Sequence, residues 1–151
     1  MYKEALRTHF EGALALPPQA VTWLLDLWDA IQALDDWVDG DEVALVDRHT
    51  VIWTILVSLP CNPFFLTHAA SLHPALAGAL LKWKASDDAE RAGRADERSF
   101  AWRASYYDVV LLVVALCHGP AAALATAESV LALYGEKYKD YKKEFKKCPH
   151  L

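Results

Sequence analysis

A chain of 151 residues, 54% of them apolar, carries enough material for one domain around a single substantial core. Its net charge of −5 counts against non-specific binding to nucleic acid, and Met1-Tyr2-Lys3-Glu4 lacks the charged-then-apolar layout of a signal peptide. The longest apolar run, 109–117, falls far short of the roughly 20 residues a bilayer span needs. Cys61, Cys117 and Cys148 are odd in number and widely spaced, with no C-x-x-C pair. That predicts a cytoplasmic protein in a reducing compartment, whose thiols mostly behave as small hydrophobes, with Cys148 exposed near the end.

Pro and Gly cut the chain into helix-length pieces, and no stretch alternates as a strand would. Leu6, Phe10, Ala13 and Leu14 recur at helical spacing and predict a first helix over about 3–16, stopped by Pro17-Pro18. The second helix is expected over about 18–38. Trp23, Leu24, Leu27, Ala30, Ile31, Leu34 and Val38 form its broad apolar face, and Asp29, Gln32, Asp36 and Asp39 gather opposite, with Leu25 among them. Gly40 has the place of a left-handed C-cap. A third helix is expected over about 42–59, with Asp41-Glu42 at its start, where negative charge is favourable.

Pro60 and Pro63 end that helix and introduce a short helical piece over 64–72. Pro74 opens a fourth main helix to about Arg91, with Leu76, Leu80, Leu81 and Trp83 turned inward. An exposed turn is expected over 89–96. The fifth helix, about 96–118, is apolar nearly all round after Ser105, the signature of a helix at the centre of a bundle. The sixth runs from Pro120 into a Lys-rich end over 136–151. The expected fold is therefore all-α: one domain over 1–151, a bundle of about six helices with the fifth central.

Eight acidic residues lie between Asp26 and Asp47 with no Lys or Arg among them until Arg48. Asp35, Asp36 and Asp39 crowd the last turn of the second helix, where negative charge opposes the helix dipole. Asp35 and Asp39 are four apart, so they share a helix face and can present oxygens to one Mg²⁺ or Mn²⁺, with Asp36 or Gln32 beside them. An acidic, solvated helix end would read the same way.

Asp108 stands in the most apolar helix, where a buried carboxylate needs a partner such as Arg, His, Tyr or a metal. Asp108 and Arg103 are the candidate catalytic residues, although Arg103 points about 140° away from Asp108 along the same helix; an Asp108 that faces the acidic end of the second helix would join that metal site. A buried polar latch between helices is the plainer account. Asp87, Asp88 and Glu90 form a third acidic group, expected to be a solvated helix end. Tyr134, Tyr138, Tyr141 and Phe145 line one side of the last helix and are expected to dock it on the bundle or on a second subunit.

Three blocks are similar to short phage- or prophage-encoded proteins of unassigned function: 27–32 running into Asp35-Asp36 and Asp39-Gly40-Asp41; Asn62-Pro63-Phe64-Phe65; and Trp102-Arg103-Ala104 with Tyr106-Tyr107-Asp108 and His118-Gly119. Leu133-Tyr134-Gly135-Glu136 extends the likeness. Locally, Asp35-Asp36-Trp37-Val38-Asp39 resembles the DDxxD motif of isoprenoid synthases, which implies that Asp35 and Asp39 hold Mg²⁺ for a prenyl diphosphate. All-α nucleotide pyrophosphohydrolases offer a further comparison, but Ser105 stands where their ExxD motif has Glu before Asp108.

Two functions follow. One is a cytoplasmic, phage-derived helical protein with a divalent-metal site at Asp35, Asp36 and Asp39 that binds or acts on a diphosphate-bearing small molecule. The other is a non-enzymatic interaction protein. Its aromatic and basic helix surfaces would bind a host or phage protein, or a second copy in a homo-oligomer.

Overall fold

The computed structural model describes residues 2–146, and every regular element among them is helical. Eight helical runs replace the expected six: α1 (Tyr2–Glu11), α2 (Pro18–Asp39), α3 (45–61), α4 (Pro63–Arg91), α5 (Glu97–Trp102), α6 (Tyr106–His118), α7 (Pro120–Leu131) and α8 (Tyr138–Lys146). The chain divides into two compact units, 1–69 and 70–151.

In the first unit, α1 stops at Glu11, earlier than expected. Gly12 takes the next position, where a Cβ would come 2.9 Å from the Thr8 carbonyl oxygen. Ala15 then adopts a left-handed φ of 46°, which lets Leu14 and Leu16 turn back into the core. Leu6 and Phe10 are fully buried, and each such side chain contributes about 1.5–3 kcal/mol of hydrophobic stabilisation.

Helix α2 keeps its expected bounds to within one residue, because Pro17-Pro18 and Gly40 fix both ends. Gly40 is left-handed at φ 81°, with its N–H donating to the Trp37 carbonyl, while the Asp41 N–H donates to that of Asp36 at 2.8 Å. The buried face differs from the expected one. Leu25, placed by periodicity among the acids, is buried, whereas Trp37 and Val38 are exposed. The first half of α2 is covered on several sides, and its last turn stands out in solvent.

Trp23 stacks on Phe65 with ring centroids 5.7 Å apart. Asn62 sets that packing. Its side-chain oxygen accepts the Phe64 and Phe65 N–H groups, capping α4, while its amide donates to the Gln19 carbonyl at 3.1 Å.

Helix α3 starts three residues later than expected and contains a π-helical turn, Thr54–Ser58, in which the Leu59 N–H reaches the Thr54 carbonyl. Pro60 accounts for it. Inside a regular α-helix its ring would collide with the carbonyl four residues back, that of Leu56, and a wider turn relieves the collision.

Helix α4 joins two expected pieces. The chain stays helical through Pro74, and its dihedrals leave helical geometry at His68 instead (φ −116°, ψ 15°). Proline in a helix interior costs about 3 kcal/mol, which the neighbouring bonds of a long helix can offset. Leu80 and Leu81, expected inside, are exposed, and the buried positions are Phe64, Phe65, Leu72 and Ser86.

The expected fifth helix is two. Helix α5 begins in a capping box, in which the Asp96 carboxylate accepts from the Arg98 and Ser99 N–H groups and Ser99 Oγ accepts from the Asp96 N–H. A turn over 103–105 separates α5 from α6. Helix α6 buries Tyr106, Tyr107, Val109, Val110, Val113 and Val114, and packs against α7 after the bend at Gly119. By length and composition α4 alone among the described helices could cross a membrane, with 17% of its apolar window buried.

Candidate functional site

The acidic end of α2 is displayed to solvent. Asp36, Asp39, Asp41 and Glu42 are exposed and Asp35 is half-buried. No basic residue lies in the last turn of the helix. Arg48, the nearest cation in sequence, donates its Nε–H to the Val43 carbonyl at 2.6 Å. Among the described residues no group of three or more His, Cys, Asp or Glu is arranged to hold a metal ion. The three aspartates therefore do not make a closed cation site on their own.

Asp108 is not buried. It faces outward on α6 with its side chain half exposed, and Lys82 of α4 pairs with it at 2.6 Å. Lys82 also sits over the exposed Trp102 ring, 5.9 Å from its centroid. The apolar run around Asp108 hid this, because α6 buries one face only and Asp108 lies off it.

Arg103 takes part in a different group, and here the sequence reading missed the principal residue. Glu90, assigned to a solvated helix end, has a side chain only 11% exposed. Its carboxylate accepts the Tyr141 hydroxyl at 3.0 Å and lies 3.7 Å from Arg103 Nη1. Glu136 stands 3.6 Å from the same nitrogen and accepts the Tyr134 hydroxyl at 2.9 Å. Arg103 Nη1 is buried and makes no hydrogen bond, so both pairings are electrostatic. The Tyr141 oxygen is 2.5 Å from Ser99 Oγ, and Ser86 Oγ donates to the Ser99 carbonyl. The guanidinium of Arg103 covers the rings of Tyr141 and Phe145 at 5.1 and 5.7 Å.

Burial pushes the Glu90 carboxyl up, against the lowering effects of Arg103 and of the Tyr141 hydroxyl. Burial and the Glu90 carboxylate together push the Tyr141 phenol up to about 12. Tyr134 rises as well, through burial and the adjacent Glu136. The network ties α8 to Glu90, Ser99 and Arg103. Tyr138, Tyr141 and Phe145 lie on α8, whereas Tyr134, expected on the same helix, stands in the connection before it; Phe100 meets Tyr134, Tyr138 and Tyr141 at 5.1–5.3 Å. A shallow cavity of about 200 Å³ lies beside it, lined by Gly93, Asp96, Tyr138, Lys142 and Phe145 among others.

The outer surface of α3 is the other unusual feature. Leu45, Ile52, Trp53 and Leu56 are 67%, 47%, 63% and 68% exposed. Leu45 and Ile52 are seven apart and Ile52 and Leu56 four apart, so they run along one side of the helix. Exposed Trp37 and Val38 add apolar surface at the end of α2. Cys61 is exposed as well, unlike the half-buried Cys117, whose thiol burial pushes up. Cys148 lies outside the described residues. No protein-family model, curated protein or solved structure matches the chain.

Proposed function

We propose that the protein is a non-enzymatic interaction module and that the exposed apolar side of α3 is its contact surface. The carrying observation is the row Leu45, Ile52, Trp53 and Leu56, four large apolar side chains in water on one helix. Isolated exposed leucines are ordinary, but four large apolar side chains exposed on one helix favour protein–protein contact. Acids Asp36, Asp39, Asp41 and Glu42, exposed just before α3, supply the charge. Trp53 has the character of an anchor residue, large and able to fill a partner's pocket. The chain works in the cytoplasm on this reading, in keeping with its free thiols.

A photo-activated benzophenone amino acid at position 53 tests this in producing cells. Discrete covalent adducts at 53 and none at exposed Glu128 are the expected result. Equal, diffuse labelling at both positions contradicts it.

One observation favours a second reading. Acidic charge fills the last turn of α2, a turn that contains no basic residue of its own, and Mg²⁺ or Mn²⁺ at Asp35, Asp36 and Asp39 would ease the unfavourable interaction with the helix dipole. A diphosphate-bearing molecule would then supply the ligands that the chain lacks. Calorimetric titration with Mg²⁺ and pyrophosphate decides it: saturable heat that disappears in Asp35→Asn/Asp39→Asn supports this reading, and flat titrations remove it.

A further inference from the structure

We infer that the partner on the α3 surface is a second copy of this chain, attached head to tail through its basic helix α8; the inference rests on the reading of α3 as a contact surface. The argument starts from how charge divides between the two units. Residues 1–69 carry three Lys or Arg against ten Asp or Glu, and residues 70–151 carry twelve against ten. The first unit is strongly acidic and the second mildly basic.

The acidic charge borders the apolar strip. Asp36, Asp39, Asp41 and Glu42 are exposed around Trp37, Val38 and Leu45, where α2 ends and α3 begins. The basic charge is equally well placed. Tyr141 and Phe145 turn the aromatic side of α8 into its own unit, anchored by Ser99, Glu90 and Arg103. That docking fixes the opposite side outward. Lys139 and Lys143, four apart, are exposed there with Lys137 and Lys142 beside them. Their aliphatic stems can lie on Trp37 and Leu45 while the ammonium groups reach the carboxylates, a pairing that matches an apolar strip with an acidic rim.

Charge also selects the geometry. A symmetric contact of α3 on α3 would bring two strongly acidic units together, and like charges facing one another across an interface oppose association. Setting α8 of one copy on the α2–α3 edge of the next brings opposite charges together. Such a contact uses two different surfaces on each copy, so it builds rings or open chains rather than a closed symmetric pair.

Charge-swap variants of the full chain, measured by light scattering, test the inference. At about 0.05 M salt the wild type is expected above its monomer mass of 16.8 kDa, and it should fall to the monomer at about 1 M, where the screening length shrinks to about 3 Å. Lys139→Glu/Lys143→Glu should be monomeric, and so should Asp36→Lys/Glu42→Lys. Mixed together, the two variants should assemble, because each supplies the surface that the other lacks. All four positions are exposed, and a cooperative urea transition in each variant, measured at about 1 M salt where both are monomeric, confirms that the fold is intact. A wild type that stays monomeric in low salt overturns the inference, as does assembly that survives both high salt and the Lys139→Glu/Lys143→Glu change. If position 53 still cross-links to a different protein, the surface reading stands while the second copy fails. If position 53 gives no discrete adduct, the surface reading itself fails.

Discussion

Tyr141 is the side chain on which α8 depends. It is 1% exposed, its hydroxyl meets both Ser99 and Glu90, and its ring lies under Arg103. Tyr141→Phe removes the hydroxyl but keeps the ring, so it should cost about 1–3 kcal/mol in urea unfolding by leaving Glu90 without its donor. A change below about 0.3 kcal/mol would mean that the hydroxyl contributes nothing to docking.

Glu90 adds a pH dependence of known sign. Its folded carboxyl titrates above the unfolded value because it is buried. The folded state therefore holds more protons than the unfolded one between those two values, and stability falls as pH rises through that window. Glu90→Gln can still accept the Tyr141 hydroxyl without carrying a charge. Wild type should thus gain on the variant as pH drops from about 7 to 5. A gap that widens in the opposite direction would show Arg103 dominating over burial.

Single elements explain where the sequence was legible. The end of α2 was readable because Gly40 is chemically required there: its φ of 81° strains any residue with a Cβ, and nothing lies within 4 Å of an added one. Gly40→Ala should cost about 1 kcal/mol through strain alone. Asp36→Asn should raise stability by about 0.3–1 kcal/mol by removing a charge that opposes the dipole, as read in thermal or urea unfolding without divalent ions. The inward residues were less legible. Periodicity shows which residues share a face, but not how far along a helix that face stays covered. It placed Val38, Leu80 and Leu81 inside and Leu25 among the acids, whereas Val38, Leu80 and Leu81 are exposed and Leu25 is buried. The break over 103–105 was hidden because no Pro or Gly marks it, and the union across Pro74 because proline was read as a start signal. The Glu90 network joins residues up to 51 apart in sequence, a distance no local pattern encodes.

At the scale of the whole molecule, the acids of α2 and the exposed apolar residues of α3 belong to the same compact unit, and the proposed function rests on reading them together. The acidic run stood out in the sequence; the strip did not, because Leu45, Ile52, Trp53 and Leu56 look like core residues until their exposure is known. A surface that exists for contact should be dispensable for folding. Leu56→Ser should leave the urea midpoint within about 0.5 kcal/mol of wild type, the range for exposed positions, where a buried leucine would cost about 2–5.

The most direct measurement is a benzophenone scan along α3 in producing cells, placing the photo-activated residue in turn at 45, 52, 53, 56 and 47. The account predicts discrete adducts at 45, 52, 53 and 56, along the apolar side. Asp47, exposed but outside the strip, should give none. Adducts spread evenly over all five positions, or absent from the apolar four, would contradict it.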